Sequence, residues 1–109
     1  MGGVAQGIAQ ALYEKMAYGE DGQPLTTTLA EYLVPTAAEI PRFEVDHTVT
    51  PTPTNSLGAK GLGESGATAA PQAVVNAVVD ALSHLGVRDV EMPVTPERVW
   101  RAMQQGGAR

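Results

Sequence analysis

The stretch Gly58–Gly66, which reads GAKGLGESG, lies between a segment rich in proline and threonine and a segment rich in alanine and valine. It holds four of the twelve glycines and a single carboxylate, Glu64. Because glycine lacks a Cβ atom, the backbone here can bend sharply and approach another molecule closely. The pattern therefore suggests a carboxylate presented at a bend beside a bound group. A flexible surface loop without a site is the simpler interpretation of the same composition.

Upstream of this loop, an amphipathic helix is predicted over Gly2–Tyr18, because apolar side chains recur at helical spacing. Its opposite face carries a polar stripe that consists of Gln6, Gln10 and Glu14. Each of its glycines at positions 2, 3 and 7 lowers helix propensity by roughly 1 kcal/mol relative to alanine. Glycines retained at that cost suggest close packing against a neighbouring element.

Extended structure is predicted between this helix and the loop. Turn residues over Tyr18–Leu25 lead into an extended segment, Thr26–Val34. The clearest predicted strand is Arg42–Thr50, in which apolar and polar side chains alternate with a period of two. His47 lies on its apolar side and is expected to be a core or rim residue, since no second ligand stands at metal-binding spacing. Pro51–Asn55 is predicted to be a stiff, extended connector.

A second helix is predicted over Thr68–Leu85, with Thr68 or Ala70 at its cap and Pro71 in its first turn. Apolar residues cover most of its surface, so it is expected to be buried on more than one side. Gly86 is expected to end it.

The last part of the chain is predicted to form a short strand, Val87–Met92, and then a third helix. Thr95 would cap this helix and Pro96 would occupy its first position. The side chains expected to face inward are Val99, Met103 and Trp100. Residues 104–109 are expected to be a frayed, disordered tail.

Together these elements predict an α+β fold, in which short strands pack with two or three helices as one unit over residues 1–109. The first two helices carry more apolar surface than a few short strands can cover. We therefore expect part of that surface to meet another polypeptide, or a second copy of the chain in isolation.

Composition excludes several classes of function. The net charge is −5 and no cluster of lysine or arginine occurs, which argues against nucleic-acid binding. The absence of cysteine excludes disulfides and thiolate metal sites. No run of about 18 apolar residues occurs, so no membrane span is predicted. The apolar start is not preceded by basic residues, so no secretory signal is predicted and a cytoplasmic location is expected.

The loop matches the dinucleotide pattern G-x-G-x-x-G at residues 61–66. That interpretation is rejected, because proline-rich chain rather than a hydrophobic strand precedes the pattern and Glu64 would repel a pyrophosphate. A single carboxylate at a glycine bend suits a general base instead. Burial beside apolar groups raises the pKa of a carboxylic acid toward neutral pH, which suits a carboxylate to this role.

The loop also resembles the one that carries the active-site glutamate in molybdenum hydroxylases, the family of xanthine dehydrogenase, aldehyde oxidase and aerobic carbon monoxide dehydrogenase. The resemblance extends over nearly the whole chain, in order. Residues 2–7 are similar to the family's Gly-Gly-x-x-Gln-Gly helix start, residues 32–36 to its Tyr-x-x-Pro-Thr segment, residues 71–82 to its alanine-rich helix, and residues 92–99 to its closing segment. The loop and closing segment look most similar to large subunits related to carbon monoxide dehydrogenase.

This resemblance implies roles for four loop residues. Glu64 matches the base that accepts a proton during oxidative hydroxylation. Gly63 matches a backbone position at the cofactor, and Lys60 and Gly61 match structural or cofactor-proximal positions. A solvated side chain is the alternative interpretation of Lys60. No residue of the chain is implied to bind the metal.

The resemblance also implies that the chain is the C-terminal part of a much longer large subunit. The cofactor would be molybdenum-molybdopterin, in its cytosine dinucleotide form, held mainly by residues outside this chain. The implied partners are the remainder of the large subunit, FAD and iron–sulfur subunits, and a small-molecule substrate.

Two hypotheses follow. The first is part of a molybdenum hydroxylase that supplies Glu64 and is inactive alone, acting on an aldehyde, an N-heterocycle, a related small molecule or carbon monoxide. The second is a non-catalytic interaction module that retains the fold. Nucleotide binding through the glycine loop is a third alternative.

Overall fold

A computed structural model of the chain describes residues 1–106. Within them, the helices are α1 (Gly2–Leu12), α2 (Ser65–Ala81) and α3 (Pro96–Gly106), with a short 3-10 turn at Ser83–Leu85. Helices α1 and α2 pack directly against each other. None of the helices within residues 1–106 combines the length and apolar character needed to cross a membrane.

Glycines allow α1 and α2 to touch along their backbones. A Cβ atom added at Gly7 would lie 2.6 Å from the Cβ atom of Ala70. One added at Gly66 would lie 2.7 Å from the backbone nitrogen of Val4. One at Gly3 would meet Gly66 at 3.2 Å, whereas Gly2 has open space beside it. The close packing predicted from these glycines is therefore confirmed at positions 3 and 7.

The apolar core lies beside this helix pair. Its buried members are Leu82, Val87, Val90 and Val94. Half-buried side chains pack against them from all three helices and the 3-10 turn: Leu12, Val75, Val78, Val79, Leu85, Val99 and Ala102. The backbone nitrogen of Val94 donates to the carbonyl of Ala11 at 2.6 Å, which ties the closing segment to α1.

The first helix is shorter than predicted, since it ends at Leu12 rather than Tyr18. The chain then folds back on itself: the backbone nitrogen of Ala17 donates to the Thr26 hydroxyl at 3.0 Å, and that of Leu25 donates to the Ala17 carbonyl at 2.8 Å. The predicted turn at Tyr18–Leu25 is confirmed, with Gly22 in a left-handed conformation (φ 81°). These contacts compete with helical hydrogen bonds for residues after Leu12.

The second helix begins earlier than predicted, at Ser65, and the 3-10 turn replaces its last residues. Glu64 occupies the N-cap position instead of Thr68 or Ala70. Pro71 therefore lies inside the helix, where it is buried against Gly7. The expected burial of α2 on more than one side is not seen within the described residues, where Pro71 is the buried residue of this helix. Gly86 follows the 3-10 turn with φ 80°, as predicted for a helix-ending glycine.

The predicted strands do not form within residues 1–106. Arg42–Thr50 and Val87–Met92 are irregular, and an isolated bridge between Tyr18 and Pro24 is the β-type pairing seen there. The segment predicted to be extended at Thr26–Val34 contains a turn at residues 28–32. An alternating pattern specifies two faces but not a partner, and a strand requires the hydrogen bonds of a neighbour. The α+β prediction is therefore not confirmed.

The third helix starts as predicted, with Thr95 before it and Pro96 in its first position. The Thr95 hydroxyl accepts a long hydrogen bond, 3.4 Å, from the backbone nitrogen of Arg98. Val99 packs on the core as expected. The prediction was wrong for Trp100 and Met103, which are 60% and 40% exposed.

The prediction of a frayed tail was wrong for residues 104–106, because α3 continues to Gly106. Residues 107–109 lie outside the described part of the chain.

Candidate functional site

The glycine loop is anchored by Asn55. The Asn55 side-chain oxygen accepts hydrogen bonds from the backbone nitrogens of Leu57 and Ala59, at 3.1 and 3.0 Å. Its side-chain nitrogen donates to the Ala59 carbonyl at 2.9 Å. Gly58 completes the bend with φ 65°, a conformation that favours glycine. The prediction that Pro51–Asn55 is a stiff, extended connector was wrong, because the chain turns back at residues 53–57.

Lys60 and Gly61 leave this bend toward solvent, and both are exposed. The Lys60 amine donates to the Thr50 hydroxyl at 2.6 Å, so the side chain is held against the preceding segment. A Cβ atom added at Gly61 or Gly63 would meet no other atom within 4 Å. The backbone on the exposed side of the loop is therefore open to an approaching group.

Glu64 follows directly, at the N-terminus of α2. Its side chain is exposed, so the burial expected beside apolar groups is not provided within residues 1–106. The side-chain nitrogen of Gln6 donates to a Glu64 carboxylate oxygen at 3.5 Å. The turn before the helix is closed by the Ser65 hydroxyl, which donates to the Leu62 carbonyl at 3.0 Å. Glu64 therefore lies between the loop and the first helix.

A hollow of about 800 Å³ is lined by the two residues that flank Glu64 in the chain, Gly63 and Ser65, but not by Glu64 itself. It is lined by residues 1–4, by residues 45–48, and by Leu62, Gly63, Ser65 and Gly66. The N-terminal turns of α1 and α2 both border it, and their first backbone N–H groups favour negatively charged groups. His47 is exposed and lines the hollow, and the strand on whose apolar side it was predicted to lie does not form within residues 1–106.

Glu64 itself lines a separate polar groove of about 310 Å³. The predicted polar stripe forms one wall, with Gln6 and Gln10 on α1 and Glu14 just after its end, and residues at the start of α2 form the other. The groove is lined by Gln6, Gln10, Glu14, Glu64, Ala67 and Thr68. At its far end, the Tyr32 hydroxyl donates to Glu14 at 2.7 Å, and this hydrogen bond raises the pKa of Tyr32.

The structure therefore separates the four predicted site residues. Gly63 borders the hollow, the Glu64 carboxylate borders the groove, and Lys60 and Gly61 border neither of these two spaces. Within residues 1–106, no group of three or more potential metal ligands of the His, Asp and Glu type comes together.

Sequence reasoning missed Gln6 as the partner of Glu64. The polar stripe on α1 marked one wall of the groove, but no pattern in the chain could show that α2 would place Glu64 opposite it. The two residues are 58 positions apart in sequence.

Comparisons with known proteins give consistent results. Residues 1–41 match the family model described as a molybdopterin cofactor-binding domain. The chain is 42% identical over 104 residues to the carbon monoxide dehydrogenase large chain of Hydrogenophaga pseudoflava. This alignment covers 95% of the present chain and 13% of that protein. It is 48% identical over 101 residues to the nicotine 6-hydroxylase large subunit of Paenarthrobacter nicotinovorans. That alignment covers 93% of the present chain and 12% of the relative.

A solved structure gives the same result for the fold. The crystal structure of quinoline 2-oxidoreductase from Pseudomonas putida 86 matches with a TM-score of 0.90 and 48% identity, over 95% of this chain and 13% of that chain. The chain thus spans about an eighth of the length of the curated relatives it matches.

Proposed function

Because this chain belongs to the molybdenum hydroxylase family of large, molybdopterin-binding subunits, we propose that it supplies Glu64 as the active-site base of such an enzyme. The observation that carries the proposal is the position of Glu64 at the N-terminus of α2, between Gly63 and Ser65, which both line a hollow bordered by two helix N-termini. This chain would be the C-terminal part of the subunit, and the remaining parts would complete the site.

The residues around the hollow fit a phosphate-bearing cofactor. The first turns of α1 and α2 meet there, because Gly3 and Gly66 allow the two backbones to touch. Backbone N–H groups at helix N-termini are common binding sites for phosphate groups. Gly63 leaves open space beside its backbone, so the cofactor could approach without a side chain in the way.

We assign the contact residues accordingly. Gly63 would contact the cofactor through its backbone, and Gly61 and Lys60 would shape the loop next to it. The cofactor would be molybdenum-molybdopterin in its cytosine dinucleotide form, held mainly by residues outside this chain. When bound, the molybdenum centre supplies the redox chemistry by accepting the two electrons removed from the substrate.

Glu64 would hold and move the proton. A carboxylate accepts a proton only in its ionised form, and a positioned base of this kind typically accelerates a reaction roughly 10²- to 10⁴-fold. In this chain the carboxylate is exposed, so the remainder of the subunit would have to exclude water from it. We propose oxidative hydroxylation of an aldehyde, an N-heterocycle or a related small molecule, or oxidation of carbon monoxide.

The proposed assembly contains the rest of the large subunit together with FAD and iron–sulfur subunits. These would carry electrons away from the molybdenum centre. The chain alone would be inactive, because most of the groups that hold the cofactor would lie in the rest of the subunit. A cytoplasmic location stays a prediction from composition.

The test is a glutamate-to-glutamine substitution in the assembled enzyme. Coexpression of the chain with the rest of a large subunit and its partners would be followed by dye-linked oxidation assays with aldehydes, N-heterocycles and carbon monoxide. We expect Glu64→Gln to lower turnover by at least about 100-fold, since the amide cannot accept the proton. Molybdenum content should be unchanged. Glu20→Gln, at an exposed turn, is the matched control and should behave like wild type.

The opposite outcome would favour the alternative. If Glu64→Gln turned over substrate as fast as wild type with the same molybdenum content, Glu64 would not be the base. The chain would then be better described as a non-catalytic interaction module.

A further inference from the structure

We infer that Gln6 is a positioning residue that holds the Glu64 carboxylate in the groove between α1 and α2. This inference rests on the proposed role of Glu64 as the base. Its observation is the hydrogen bond that crosses from α1 to the start of α2, in which the Gln6 side-chain nitrogen donates to a Glu64 oxygen at 3.5 Å.

The two helices hold these side chains at a fixed separation. Gly3 and Gly66 lie in backbone contact one turn before Gln6, and Gly7 lies against Ala70 directly after it. Because neither contact has a flexible side chain between the helices, α1 cannot slide along α2 without a backbone clash. The Gln6 side chain therefore starts from a point that is rigid relative to Glu64.

Glu64 needs such a partner, because within residues 1–106 the bond from Gln6 is the hydrogen bond that its side chain makes. The Glu64 side chain is exposed, and at the N-cap of α2 it makes no capping hydrogen bond to the backbone. A free glutamate side chain has several rotamers, and fixing one costs conformational entropy. A donor on a rigid neighbour selects among those rotamers before the substrate arrives.

The chemistry of the amide suits this role. A neutral N–H donor stabilises the carboxylate in a defined direction, and a hydrogen bond to an ionised acceptor is stronger than one between neutral groups. The distance of 3.5 Å is long. Catalytic hydrogen bonds of this kind often shorten when the site is occupied.

The experiment compares Gln6→Leu and Gln6→Glu with the matched substitutions Gln72→Leu and Gln72→Glu in the assembled enzyme. Gln72 is an exposed glutamine on α2 that borders neither the groove nor the hollow. We expect the Gln6 variants to lower kcat on the order of 10- to 100-fold, since small misplacement of a catalytic group has effects of this size. KM should change less than about twofold, because substrate binding does not use this contact.

A double-mutant cycle separates positioning from a general structural effect. If Gln6 acts through Glu64, adding Gln6→Leu to the Glu64→Gln enzyme should lower kcat no further. A merely structural role would lower kcat by the same factor in both backgrounds. Molybdenum content and melting temperature, measured for every variant, identify any that fail to assemble, and Gln6→Glu serves where Gln6→Leu does not assemble.

Two results would overturn the inference while leaving the base assignment intact. One is a Gln6→Leu enzyme with the same kcat as Gln72→Leu, in a series where Glu64→Gln is inactive. The other is an equal loss from Gln6→Leu in the presence and absence of the Glu64 carboxylate. Full activity of Glu64→Gln itself would instead remove the proposed function, and the positioning role with it.

Discussion

The helical part of the chain and its middle segment, residues 13–64, are stabilised in different ways. Helices α1 and α2 touch through glycines, and the core beside them buries Leu82 and Val94. The middle segment contains no helix or strand as described, and ten of the fourteen exposed large apolar side chains lie in it. The helical part therefore packs against itself, whereas residues 13–64 present apolar surface that further polypeptide could cover.

Local hydrogen bonds hold the middle segment in place of a core. Asn55 fixes the bend before the loop, and Glu31 accepts from the backbone nitrogens of Thr27 and Thr28 at 2.8 and 3.2 Å. Such contacts fix a few residues each but bury little apolar area. Since the relatives are about eight times longer than the chain, we expect their additional residues to cover this surface. Glu64 lies where the two parts meet.

The loss in the free energy of unfolding should differ most between the two parts when a leucine is shortened to alanine. Leu82→Ala removes a side chain that is 9% exposed and should lower the free energy of unfolding by about 3 kcal/mol. Leu57→Ala removes one that is 88% exposed and should change it by less than about 0.5 kcal/mol. Urea unfolding followed by circular dichroism measures both. Equal losses would mean that the middle segment is packed as well as the core.

A somewhat smaller effect is expected where the helices touch. Gly66→Ala places a Cβ atom 2.7 Å from the Val4 nitrogen, in contact with backbone that cannot move aside. Overpacking of this kind should cost about 2 kcal/mol, which outweighs the gain in helix propensity. Gly61→Ala, in open space, is the control and should be nearly neutral. A stabilised Gly66→Ala variant would contradict the close helix contact.

The smallest effect should be a local response to acid in the middle segment. The pKa of Glu31 is lowered, chiefly by the hydrogen bond from the Thr27 backbone and next by that from Thr28. A lowered pKa means that the ionised carboxylate stabilises the turn at neutral pH. This stabilisation is lost as the pH falls from the ordinary pKa of a glutamate down through the lowered pKa. NMR amide shifts of Thr27 and Thr28 should follow that titration. In Glu31→Gln the same shifts should stay constant over this range.

The features that the sequence predicted well are those set by neighbours in the chain. Thr95 and Pro96 start α3 because a cap and a proline act within one turn. Gly86 ends the helical segment for a similar reason, and the polar stripe of α1 was visible in its spacing. The ends of α1 and α2 were misplaced, because contacts such as Ala17 with Thr26 lie beyond the reach of a helical pattern.

Three helices, a glycine bend and the single carboxylate at that bend could be predicted from the order of residues along the chain. The missing partner strand of Arg42–Thr50 within residues 1–106, and the position of Glu64 opposite Gln6, became visible in the folded chain. The two groups of features differ in the range of the interactions that produce them. Helix propensity, caps and turns act over a few residues, whereas pairing and packing depend on which distant segments can approach. Here glycines at positions 3, 7 and 66 permit that approach.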